Sequence, residues 1–204
     1  MDQLGGEGMV LPALALFDLG QLYDAGLYVA QDRNKACDLF EISAVKGLAT
    51  AAYNTGMCYE LGQGRKLDPK AALRYYHEAA RQNEPHSAYQ LAMLYYDGTL
   101  VDRDITATVL FLHMAAVAGH YQAQNNLATL YLNGEGVKKS NVYAYIWYSL
   151  AIANRTEDEN DYLHEVISRN LHDLSKQLTR KQKNIALAII RKCMKNIREC
   201  KELM

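Results

Sequence analysis

The sequence predicts an all-α protein built from tandem helix-turn-helix units of 36 residues. Three observations carry that expectation. A tyrosine recurs at Tyr23, Tyr59, Tyr95 and Tyr131, and a glycine follows it by three residues at Gly26, Gly62, Gly98 and Gly134. A helix-capping residue follows by nine, at Asp32, Asp68, Asp104 and Ser140, and no insertion breaks the spacing of 36.

The first helix of each unit comes from the residues before the tyrosine. Three before it stand Gly20, Gly56, Ala92 and Ala128, four before it Leu19, Thr55, Leu91 and Leu127, and eight before it Ala15, Ala51, Ser87 and Ala123. These small or mainly apolar positions share one stripe of a helix. Glycine after the tyrosine suits a left-handed C-terminal cap, where a side chain would meet the backbone. Asp or Ser nine residues on accepts bonds from the free amides that open a second helix, and Asp68-Pro69 adds proline where its missing N–H costs nothing. The second helix carries a mainly bulky pair (Leu39-Phe40, Tyr75-Tyr76, Phe111-Leu112, Trp147-Tyr148) and, one turn later, a mainly small pair (Ser43-Ala44, Ala79-Ala80, Ala115-Ala116, Ala151-Ile152). Small residues let helices approach, and Tyr, Trp and Phe fill the space between hairpins.

This periodicity decides a second reading of the sequence. Gly134-Glu-Gly136 with two lysines behind it could be taken for a phosphate-cradling loop. Its earlier copies read Gly26-Leu-Tyr28, Gly62-Gln-Gly64 and Gly98-Thr-Leu100, and it lacks the preceding strand and the GK[ST] ending of such a loop. It is a turn.

The pattern A-x-x-x-L-G-x-x-Y-x-x-G-x-G-V, then K-A, W-Y and A-A-x-x-G, resembles the Sel-one-like repeat, a relative of the tetratricopeptide repeat. The fourth unit carries it nearly intact as Ala123, Leu127, Ala128, Tyr131, Gly134, Gly136, Val137, Ala144, Trp147, Tyr148 and Ala151. The first unit is weakest, with Tyr28 in place of the second glycine. The resemblance implies a right-handed α-solenoid of about four helix-turn-helix repeats plus two C-terminal capping helices. The divisions expected are a lead at 1–12, repeats at about 13–50, 51–86, 87–122 and 123–154, and a cap at 155–204. The matched residues, Trp147 among them, are architectural, so no reaction follows from them.

Past residue 154 the period stops. Capping-box patterns at Thr156-x-x-Glu159 and Thr179-x-x-Gln182 predict helices over about 157–176 and 180–201. In the last, Ala186, Ile190, Cys193, Ile197, Cys200 and Met204 form an apolar stripe, extended by Leu187 and Ile189. Such a stripe either caps the open end of the array or docks a partner or second copy. Eight Lys or Arg lie from Arg180 onward against Glu199 and Glu202, a basic face of the kind that is usually solvated.

Composition excludes several classes. The chain of 204 residues has net charge -1 and a pI near 6.6, which gives no global field for nucleic acid or an anionic membrane. No apolar run is long enough to span a bilayer, and MDQLGGEGMVLPALALF lacks the basic start of a signal peptide, so the expected location is cytoplasmic. Cys37, Cys58, Cys193 and Cys200 form no CxxC pair; with Cys193 and Cys200 seven apart on one helix, about 10 Å, free thiols are expected. The cysteine-rich branch of the family pairs cysteines at a regular spacing that Cys37 and Cys58 do not reproduce. No G-x-S-x-G, H-E-x-x-H or carboxylate pair with catalytic context is present, so neither enzyme activity nor a cofactor or metal is expected. His77 and His113 share one offset, one residue past the bulky pair, and are read as outward polar positions.

Candidate partner-binding residues sit six before, two before and one after the tyrosine, on a face of the first helix away from the core stripe. They are Phe17, Tyr53, Tyr89 and Asn125; Gln21, Met57, Met93 and Thr129; and Asp24, Glu60, Tyr96 and Leu132. Related tetratricopeptide proteins hold peptides on the equivalent concave face, which implies a protein-interaction adaptor. Aromatic and methionine side chains beside carboxylates would take a peptide with apolar anchors and some basic residues. The alternative is a regulatory or self-assembly module, such as a homodimer, acting through the basic last helix.

Overall fold

The computed structural model describes residues 11–155, 161–195 and 200, and among them lie ten α-helices and no strand. The helices are α1 (Ala13–Ala25), α2 (Arg33–Val45), α3 (Ala49–Leu61), α4 (Pro69–Arg81), α5 (Pro85–Asp97), α6 (Ile105–Val117), α7 (Tyr121–Asn133), α8 (Asn141–Asn154), α9 (Asp161–Gln177) and α10 (Arg180–Lys195). The chain divides into two compact units, one ending at Gln82 and one beginning at Asn83. The first holds the hairpins α1/α2 and α3/α4, with α2 packed on α3; the second holds α5/α6 and α7/α8, with α6 packed on α7 and with α9 and α10 both packed on α8.

One turn geometry recurs in all four hairpins. Gly26, Gly62, Gly98 and Gly134 end the first helices in the left-handed conformation. The backbone N–H of Asp32, Asp68, Asp104 and Ser140 then donates to the carbonyl of Tyr23, Tyr59, Tyr95 and Tyr131, each at 2.9 Å. This bond closes the nine-residue interval at a fixed length. The side chains of the same four residues accept amide bonds from the second helix they open, as at Lys35, Ala71, Ala107 and Tyr143. Each cap contributes about 1 kcal/mol.

The second glycine of the turn has a separate task, which is to let the turn lie against the preceding hairpin. A Cβ on Gly64 (φ 72°) would overlap the carbonyl oxygen of Arg33 and lie 2.8 Å from Cys37 Sγ, on α2. On Gly136 it would lie 2.6 Å from Ile105 Cγ1, on α6. In the first hairpin the same place is held by Tyr28, also left-handed at φ 63° and 98% exposed.

The core follows the expected stripes. Phe40, Tyr76, Leu112 and Tyr148 are buried, as are the small pairs Ser43-Ala44, Ala79-Ala80 and Ala115-Ala116. Gly56 lets α4 approach so closely that a Cβ there would meet the Tyr76 ring at 2.6 Å. Trp147 has no exposed surface.

Two expectations are corrected here. All four cysteines are paired, as Cys37–Cys58 and Cys193–Cys200. The first bond joins the second helix of one repeat to the first helix of the next, a juxtaposition that arises from hairpin packing. In the second the two Cα atoms lie 5.3 Å apart, about half the separation that seven residues of continuous helix would impose. In the cap, the Thr179 capping box is made in both directions: Gln182 N donates to Thr179 Oγ1 at 3.3 Å, and Thr179 N to Gln182 Oε1 at 2.9 Å. Ala186, Ile190 and Cys193 are buried and Leu187 is exposed. The lead at 1–10, the Thr156 capping box, Ile197 and Met204 lie outside the described residues.

Candidate functional site

None of the twelve candidate residues is fully buried, whereas the neighbouring stripe (Gly20, Thr55, Gly56, Leu91, Ala92, Leu127, Ala128) is. A single helix thus shows two faces, one given to the core and one left available.

In the first unit, α1 and α3 supply six candidates. Gln21 and Asp24 are exposed; Phe17, Tyr53, Met57 and Glu60 are half-buried. Phe17 contributes as much to packing as to surface, since its ring sits 5.5 Å from Phe40 and touches both core clusters. Tyr53 leans on Tyr76 at 5.9 Å. Glu60 accepts the Tyr76 hydroxyl, and burial first, then this bond, pushes the Tyr76 pKa far above the usual tyrosine range. Asp24 pairs loosely with Arg33 at 3.9 Å. Both carboxylates lie at the edge of an aromatic surface.

In the second unit, α5 and α7 supply the other six. Tyr89 stacks on His120 at 4.5 Å, and Met93 Sδ accepts from Asn126 Nδ2 at 3.7 Å. Tyr96 is exposed, with the Arg103 guanidinium 5.4 Å from its ring centre. Thr129 Oγ1 lies 2.9 Å from the Tyr148 hydroxyl, which also accepts from Asn170 Nδ2 of α9 at 3.2 Å. Asn125 donates to the Asn126 side chain, and Leu132 is half-buried.

Charge is segregated in a way that the offsets alone did not reveal. The four first helices, α1, α3, α5 and α7, contain no Lys or Arg, and their charged residues are Asp18, Asp24, Glu60 and Asp97. The cations of the first unit lie instead on α2, α4 and the turns. In the first unit, Asp24 and Glu60 among aromatic and methionine side chains suit cations with apolar neighbours; in the second unit no candidate residue is charged, and the Arg103 guanidinium already lies over Tyr96.

A further position, eighteen past the tyrosine, was misread from sequence. It holds Glu41, His77, His113 and Ser149. His113 is 5% exposed, edge-on to Trp147 at 5.5 Å, and burial lowers its pKa. Its expected outward placement is therefore wrong: this side of the second helix faces the following hairpin within each unit. Glu41 shows the same contact, accepting the Tyr75 hydroxyl at 2.6 Å and the Tyr59 hydroxyl at 3.4 Å while Arg65 bridges it (3.3 Å) to Asp38 (2.5 Å). Burial, then Glu41, raises the Tyr75 pKa to about 12. The available signal was a polar residue recurring beside the bulky pair. Among the described residues no group of three His, Cys, Asp or Glu could hold a metal, and no helix is long and apolar enough to cross a membrane.

Fold and surface together define a helical-repeat protein of the solenoid class, with its regular residues committed to packing. The Sel1 repeat model matches residues 13–47, 49–84, 85–120 and 122–155, and the chain belongs to that family. No curated protein sequence matches the chain. Among solved structures it is similar to c5321, described as a protective antigen present in uropathogenic Escherichia coli strains displaying an SLR fold, at 28% identity and a TM-score of 0.66 over 69% of this chain and 30% of that one. It is also similar to a Sel1 repeat protein from Oxalobacter formigenes, at 26% identity and a TM-score of 0.66 over 71% of this chain and 59% of that one. The chain thus spans less than two thirds of either. Sel1 repeat proteins are generally protein-interaction scaffolds rather than catalysts.

Proposed function

We propose that this protein is a non-catalytic adaptor whose first-helix faces hold a cationic peptide segment with apolar anchors. The observation that carries this reading is the absence of Lys and Arg from α1, α3, α5 and α7, alongside half-buried Tyr53, Met57, Tyr89 and Met93. Aromatic and methionine groups adapt to apolar side chains, and Asp24 and Glu60 favour neighbouring positive charge. Selection of a random peptide library against the immobilised chain tests it. Enriched sequences should combine Lys or Arg with apolar residues, and the folded double variant Tyr53→Ala, Met57→Ala should bind them at least ten-fold more weakly. Enrichment of neutral or acidic peptides, or undiminished binding by the double variant, overturns the reading.

A second reading places recognition on α10. Its outward residues Arg180, Lys181, Arg191, Lys192 and Lys195 have no carboxylate partner among the described residues, and Ile185, Leu187 and Met194 are exposed beside them. Charge reversal at Lys181 and Lys192 separates the two: it should leave peptide binding on the first-helix faces intact and abolish any self-association that depends on α10. The paired cysteines favour an oxidising compartment over the reducing one expected from the sequence.

A further inference from the structure

In the second unit, a candidate binding residue is held by a titratable helix cap. His120 is the N-cap of α7: its Nδ1 accepts the Ala123 N–H at 3.3 Å. In the neutral ring this leaves the proton on Nε2, which donates to His86 Nδ1 at 3.2 Å. Tyr89 stacks on the same ring at 4.5 Å, so one imidazole ties the start of α5 to the start of α7 and sets the position of Tyr89.

We propose that His120 is a positioning residue for the α5/α7 face, and that acidification releases a cationic partner by protonating this cap. This rests on the binding reading above. Protonation of Nδ1 turns an acceptor into a donor facing the Ala123 N–H, so the cap is lost and the ring that supports Tyr89 shifts. It also places positive charge beside His86, on a face proposed to hold cations. The groups facing His120 are His86, Tyr89 and, at the start of α5, the buried Glu84 carboxylate, which is occupied by the amides of His86 and Ser87. The helices packed on α7 add little: α8 has no titratable side chain except tyrosines, and α6 has only His113, turned toward Trp147. Glu84 is thus engaged by the amides of its own helix and makes no hydrogen bond or ion pair with the His120 ring.

Burial, then His86, lowers the His120 pKa to about 4 from an ordinary 6.5. A folded value below the unfolded one means that the contribution is complete above pH 6.5 and is lost as pH falls toward 4. The full shift corresponds to roughly a 30-fold change in the opening equilibrium at pH 5; partial exposure of the ring reduces the expected effect to about ten-fold.

The test follows hydrogen exchange of the Ala123 amide, corrected for intrinsic chemistry, from pH 7.5 to pH 5 in the full chain and in His120→Asn, which caps at every pH. A synthetic Leu/Lys amphipathic peptide serves as the binding probe from pH 7.5 down to pH 3.5. By pH 5 the native chain should lose about ten-fold in Ala123 protection, and its probe affinity should fall as pH passes through about 4, where the cap of the folded chain is itself protonated; His120→Asn should show neither change. Parallel pH profiles in the two proteins overturn the proposal. Absence of probe binding at every pH, with the exchange difference intact, overturns the groove reading while the acid-sensitive cap stands.

Discussion

Substitution at one repeat position should stabilise the first hairpin and destabilise the second. Position 28 in the first turn and position 64 in the second are equivalent by the 36-residue period, and both backbones are left-handed. Only at Gly64 does the turn lie on a preceding helix, where a Cβ would overlap the Arg33 carbonyl oxygen. Gly64→Ala thus incurs a backbone term of about 1 kcal/mol for the left-handed conformation and an overlap term of about 2 kcal/mol, because main chain cannot move aside as a rotamer can. Gly47→Ala isolates the first term, since Gly47 is left-handed at φ 94° with nothing within 4 Å of its Cβ direction. Tyr28→Gly relieves the same strain without losing a contact, as the ring is exposed, and should stabilise by about 0.5 to 1 kcal/mol. Urea unfolding followed by far-ultraviolet circular dichroism measures all three. A Gly64→Ala cost no larger than that of Gly47→Ala would refute the claim that the second glycine exists for close approach.

Two further outcomes follow from the packing. Trp147→Ala should cost about 3 to 5 kcal/mol in the second unit, since the ring is fully buried, and should appear as a lower melting temperature with peptide binding by the first unit retained. The double variant Cys37→Ala, Cys58→Ala opens a loop of sequence separation 21 and should lose about 3 kcal/mol, with a matching fall in the native chain under reducing agent. Equal urea midpoints with and without reductant would show that this bond is absent in solution.

How much was legible in the sequence depended on whether a residue acts within its own hairpin. The tyrosine-to-cap interval, the glycine C-caps and the bulky and small pairs are local, and each recurs at a fixed offset, so periodicity alone exposed them. Contacts between consecutive hairpins have no such signature. Glu41 and His113 share an offset yet meet different partners, a tyrosine pair in one case and a tryptophan edge in the other, so neither chemistry could be inferred from the other. The cysteines were misread for two separate reasons: Cys37 and Cys58 meet only after α2 packs on α3, and Cys193 and Cys200 lie 5.3 Å apart where the expected single helix would hold them about 10 Å apart. Helical offsets sorted the first-helix faces into core and available surface, but could not tell that Phe17 is drawn toward Phe40, or that Tyr89 rests on the histidine that caps α7.

The most direct measurement of partner recognition is a nuclear magnetic resonance titration of the isotope-labelled chain with the library-selected cationic peptide. Amide and methyl shifts should concentrate at Asp24, Met57, Glu60, Met93 and Tyr96, with those of α10 unmoved. Shifts confined to α10, or scattered over second helices while the first-helix residues stay still, would contradict it.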